Sequence, residues 1–175
     1  DTVGGLLNVG AGSDLSFVSV LVMTDSFEFG VDLVGDIARN PSFEPEEIER
    51  QRQQVLSGLQ VSYDDPAYLA GVVFGRLVYG DHPYGLPATG TPESVQAISR
   101  ADLRTFHETH YAPNNALLAI VGDIEASLAF AAAERVFGDW QRKTLPPTSM
   151  VEVPEPTRRV VVIDKPGSLQ TAIRA

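Results

Sequence analysis

No cysteine occurs in the 175 residues, so the chain can form neither a disulfide nor a thiolate metal site, and any metal would need His and carboxylate ligands. Histidine is itself scarce, with three in all. Basic residues are also few. Against 13 Lys and Arg stand 23 Asp and Glu, a formal charge of −10, which repels a phosphate backbone and excludes nucleic acid as a partner. The longest apolar runs, such as Ala116 to Val121, reach six residues, against roughly 20 for a helix that crosses a bilayer. No membrane span is expected. What remains is an ordinary globular composition, 43% hydrophobic and 21% charged, enough for a core in one domain or two small ones.

The chain opens with two apolar runs separated by Gly10, Gly12, Ser13 and Asp14, and Phe17, Val18, Val20 and Val22 carry the β-branched and aromatic enrichment of a hairpin. Asp25 and Glu28 have capping-box spacing ahead of a helical stripe, Phe27, Val31, Val34 and Ala38, that Asn40-Pro41 ends. Glu44-Pro45 begins a second helix, in which Ile48, Val55, Leu56 and Leu59 share one face to about Ser62. Asp64-Asp65-Pro66 restarts the chain as a third helix closed by Gly80. Thr91-Pro92 opens a short helical turn, and Ser99 with Asp102 caps a helix carrying Leu103 and Phe106. Ala116 to Val121 reads as a short buried strand, and an Ala-rich helix over 125–137 stops at Gly138. Residues 144–158, with Pro146, Pro147, Pro154 and Pro156, read as a linker before a strand over 159–164. The helices near Asp25, Glu44, Asp64 and Ser99 are expected to cover one face of one sheet.

Candidate chemistry is sparse. His107-Glu108-Thr109-His110 places its imidazoles three apart rather than the four of a zinc helix, so it reads as a solvated helix end. His82 lies in a turn, His82-Pro83-Tyr84-Gly85. Gly122-Asp123 lacks the glycines and Lys of a phosphate loop and reads as a helix cap. Carboxylate pairs such as Glu46/Glu47 and Asp64/Asp65 stand at helix starts, where the helix dipole already accounts for them. No Gly-x-Ser-x-Gly elbow is present.

Six phrases in order carry a resemblance: Gly4-Gly5-Leu6-Leu7-Asn8, Asn40-Pro41-Ser42-Phe43, Glu47-Ile48-Glu49-Arg50-Gln51-Arg52, His82-Pro83-Tyr84-Gly85, Gly90-Thr91-Pro92-Glu93-Ser94 and Tyr111-Ala112-Pro113-Asn114-Asn115-Ala116. The chain resembles the insulinase/pitrilysin family of zinc peptidases, which includes the mitochondrial processing peptidases. The resemblance implies an α+β fold, an antiparallel-rich mixed sheet covered on one face by helices. It also implies a division into residues 1–143, most of one family unit, a proline-rich linker over 144–158, and the start of a next unit over 159–175. Both ends of the chain read as cut from something longer.

Active relatives hold zinc with a His-x-x-Glu-His helix and a downstream Glu. The His motif does not occur in these residues, and the resemblance would put it upstream of Asp1. The downstream helix matches residues 44–62, where the family's supporting carboxylate falls on Gln51 and its ligand Glu on Gly58. Neither residue is a carboxylate. Zinc therefore belongs to the family, with no cofactor, metal ligand or catalytic residue expected in this chain. The reading is a non-catalytic, peptide-binding half that pairs with a second homologous unit or subunit. The alternatives are a working zinc endopeptidase whose His motif lies upstream, and a peptidase-derived scaffold subunit. Relatives bind peptide as an added strand at the phrase that here includes Leu7, Asn8 and Val9. The setting leans periplasmic, with the cytoplasm as the alternative.

Overall fold

Alternation after residue 15 does produce a hairpin: β1 (Leu6–Ala11) pairs antiparallel with β2 (Ser16–Leu21), with Leu7 opposite Val20, Asn8 opposite Ser19 and Val9 opposite Val18. Gly12 N donates to Leu15 O at 2.9 Å to close the turn. The computed structural model describes residues 3–147, 151–155 and 157–175. They fall into two units, one of residues 1–43 and 100–147, the other of residues 44–99 and 148–175.

The first unit holds the hairpin, α1 (Phe27–Arg39), α5 (Arg100–His110) and α6 (Ala126–Phe137). Helix α1 lies against β2 where Gly30 removes a side chain. A Cβ there would stand 2.9 Å from Val22 Cγ2 and 3.5 Å from Val20 Cγ1. A Cβ at Gly35 would collide with Val136 of α6, so these two glycines set how closely α1 packs. Val31, Ala112 and Ala132 are the buried apolar residues of this unit. Arg135 of α6 adds ion pairs to Glu28 and Asp32 of α1, and Arg39 pairs with Asp139 at 2.7 Å.

The second unit holds α2 (Pro45–Asp64), α3 (Pro66–Tyr79) and α4 (Pro92–Ala97), each with proline in its first turn, where the missing N–H has no intrahelical partner in any case. The Asp65 carboxylate accepts from Ala67 N at 2.8 Å and caps α3. Gly80, at φ +56°, ends α3 in a conformation a side chain would oppose. Thr91 and Ser94 form a reciprocal capping box on α4. Leu59 and Val95 are buried between these helices.

The fold is thus α+β with antiparallel pairing, and four sequence expectations need correction. Ala116 to Val121 is not a buried strand: Leu117 is 94% and Val121 97% exposed. Residues 159–164 likewise form no strand, and Val160 and Val162 are exposed. A strand exists only when a neighbouring backbone pairs with its N–H and C=O groups, and among the described residues none lies beside either run. Capping also differs. Asp25 sits in a 3-10 turn over Thr24–Ser26 and its carboxylate accepts from Ser26 Oγ at 3.3 Å, so no box forms with Glu28. Asp123 does not cap α6, whose N-cap is Glu125.

Candidate functional site

Leu7, Asn8 and Val9 lie in the middle of β1, all three exposed. One edge of β1 is taken by β2, and along the other no strand runs among the described residues. Such an edge presents backbone N–H and C=O groups that can pair with an added extended chain. The hairpin is apolar on both faces: Leu7 and Val9 share one, while Leu6, Phe17 and Leu21 are exposed on the other.

Gln51 and Gly58 lie two turns apart on α2 and point to the same side. Both are exposed, whereas the adjacent Leu59 is the most buried large side chain described. A Cβ at Gly58 would meet nothing within 4 Å, so packing does not dictate glycine there. The Gly58 carbonyl accepts from Ser62 Oγ at 2.9 Å, an ordinary within-helix contact. Two carboxylates near the start of this helix, Glu47 and Glu49, are engaged. Arg50 donates to Glu47 and its guanidinium holds that carboxyl below the usual glutamate range. Glu49 accepts from Gln53 and Arg52, which lower its pKa in that order of importance.

A catalytic zinc needs three protein ligands and an open position for water. An amide at 51 and a hydrogen at 58 do not fit that requirement, and among the described residues no group of three His, Asp or Glu could hold a metal ion. The histidines have other partners. His107 Nε2 lies 2.8 Å from the Ala38 carbonyl and its ring stacks on Tyr111. His110 stacks on Phe106. His82 Nδ1 accepts from Tyr84 N at 3.2 Å and so caps a 3-10 turn, as its place beside Pro83 predicts.

Three residues matter in ways the sequence does not announce. Arg52 reaches from α2 to carbonyls at the end of α4, Arg100 reaches two carbonyls of the α1–α2 connection, and Phe43 in that connection has φ +50°. The only sequence signal is an arginine near a helix start, and it does not disclose the distant acceptor.

The profile of the peptidase M16 inactive domain matches residues 97–174. The chain is similar to an uncharacterized zinc protease of Mycobacterium leprae, 33% identical over 138 residues that make up 79% of this chain and 31% of that protein. It therefore spans about a third of the length of that curated relative. It is similar in fold to a peptidase M16 inactive domain from Pseudomonas fluorescens, with a TM-score of 0.76 and 27% identity, covering 89% of this chain and 37% of that one. The periplasmic protease PqqL from Escherichia coli shares the fold at 18% identity and a TM-score of 0.71, covering 85% of this chain and 17% of that one. Its solved first half is matched with a TM-score of 0.69. By sequence and fold the chain is similar to the M16, or insulinase/pitrilysin, peptidase family, and residues 97–174 match its inactive domain.

Proposed function

We propose that this chain is the peptide-holding part of a non-catalytic half in an M16 zinc peptidase, acting together with a second homologous unit or subunit that carries the zinc. The single observation behind this reading is the pair Gln51 and Gly58, exposed on one side of α2 with room for a ligand side chain and no carboxylate present. The relative from Mycobacterium leprae is named a zinc protease, which supports zinc in the assembly rather than in these residues. The open edge of β1 at Leu7, Asn8 and Val9 takes the peptide through backbone pairing, which asks for no particular side chain. In this reading residues 1–143 are most of one family unit, residues 144–158 link it onward, and residues 159–175 begin the next. A periplasmic setting goes with this reading, since the Escherichia coli protease PqqL, which shares the fold, is a periplasmic one.

Metal analysis after dialysis, with a quenched-fluorescence peptide assay, tests the reading on this chain and on its Gly58→Glu variant. Neither is expected to retain stoichiometric zinc or to cleave peptide. One zinc per wild-type chain, or activity from it alone, would overturn the proposal. A photo-crosslinking peptide should label β1 around Leu7 to Val9, and labelling confined elsewhere would remove the peptide-holding role.

A further inference from the structure

The connection between α1 and α2 contains a strained residue. Phe43 has φ +50° and is the one non-glycine residue with positive φ among those described. A bulky side chain disfavours that left-handed conformation, so the surroundings must hold it. Arg100, the first residue of α5, supplies one grip: its Nε donates to the Phe43 carbonyl at 2.7 Å and its Nη2 to the Ser42 carbonyl at 3.2 Å. The aromatic ring supplies the other. It meets the His107 imidazole edge-on at 5.9 Å, and His107 is itself fixed by the Ala38 carbonyl at the end of α1 and by Tyr111. A carbonyl can only accept, so Nε2 of His107 carries the proton in that bond.

We propose that Arg100 is a latch that keeps Phe43 left-handed and fixes the backbone at the end of the α1 connection. Phe43 ends one stretch of the first unit and Arg100 begins the next, so one guanidinium joins the two stretches. The planar fork of arginine suits two successive carbonyls, whereas the ammonium of lysine is a point charge. Released from the fork, Phe43 relaxes to an ordinary conformation. Arg100 acts through the backbone of the connection and is a positioning residue. The inference stands independently of the peptidase role proposed above.

Amide exchange on the whole chain tests it. Arg100→Gln is expected to raise exchange at Asn40 and Ile48, whose amides donate to Asp36 and Glu44 on either side of the connection, by about threefold to tenfold, the net worth of such hydrogen bonds, with the amides of α6 unchanged. Arg100→Lys should restore protection only in part. Phe43→Gly and Phe43→Ala both lose the ring and differ in tolerance of positive φ, so exchange at Asn40 and Ile48 should be slower in the glycine variant by about fivefold or more. Equal exchange in these two variants would mean that residue 43 is not held left-handed, and would overturn the latch. So would unchanged local exchange in Arg100→Gln, or a rise spread evenly over every helix. Because the Gly and Ala comparison leaves Arg100 intact, it decides the matter even if Arg100→Gln unfolds.

Discussion

Arg52 leaves α2 to end at α4. Its guanidinium donates to the carbonyls of Val95, Gln96 at 3.3 Å and Ile98 at 2.7 Å, while Nε holds Glu49 at 3.0 Å. Carbonyls in the last turn of a helix have no partner within it, so this side chain closes α4 from outside. The side chain is only 16% exposed. Arg52→Ala is therefore expected to cost about 1.5–3 kcal/mol in a urea titration, and Arg52→Lys to recover only part of it. A value near zero would show that water replaces the bonds freely. The sequence marks Arg52 as one of a charged run at a helix start, where its i−3 partner Glu49 is legible and the acceptors 43 to 46 residues onward are not. Phe43 is opaque for a similar reason, since positive φ is usual for Gly or Asn and exceptional for Phe.

Helix α2 begins with Pro45, Glu46 and Glu47, a start that favours negative charge. The Glu47 carboxyl is lowered first by its hydrogen bond to Arg50 and then by that residue's charge. Glu49 is lowered by Gln53 and Arg52, and Glu93 in the first turn of α4 by its own backbone N–H and by Thr91. A carboxyl depressed in the folded state contributes stability that is present above its ordinary value of 4.5 and is lost as pH falls through the lower folded value. Helicity followed by far-UV circular dichroism should therefore decline below pH 4.5, and Glu47→Gln should make that decline smaller. All three groups are fully exposed, so salt should weaken the effect. An acid limb identical in the variant would count against the Glu47 contribution. At this scale the sequence is informative wherever a helix end is local: Asp65 before α3, Gly80 after it, and Thr91 with Ser94 on α4 are all legible. Ala116 to Val121 is not, because apolarity permits a strand and only a neighbour creates one.

Leu6, Phe17 and Leu21 are exposed on one face of the hairpin and Leu7 and Val9 on the other, and exposed apolar surface invites a covering partner. Light scattering after size exclusion, on the intact protein alone and mixed with family neighbours, is expected to show a two-half assembly, within one chain or between two. A single unit that takes no partner would favour the scaffold reading. The amino-acid sequence alone determined the resemblance to the family, the order of the helices, the hairpin, the absence of carboxylates at residues 51 and 58, and the lack of thiolate chemistry. These rest on residue identity and on spacings of a few positions, which the chain carries without folding. Only the tertiary structure decided that the helices divide into two units, that residues 116–121 and 159–164 stay unpaired, that packing leaves room at Gly58, and that Arg52 and Arg100 close distant backbone. Each of these depends on which groups meet across long stretches of chain, and the pairing of a carbonyl with a guanidinium tens of residues away leaves no periodic mark in the sequence.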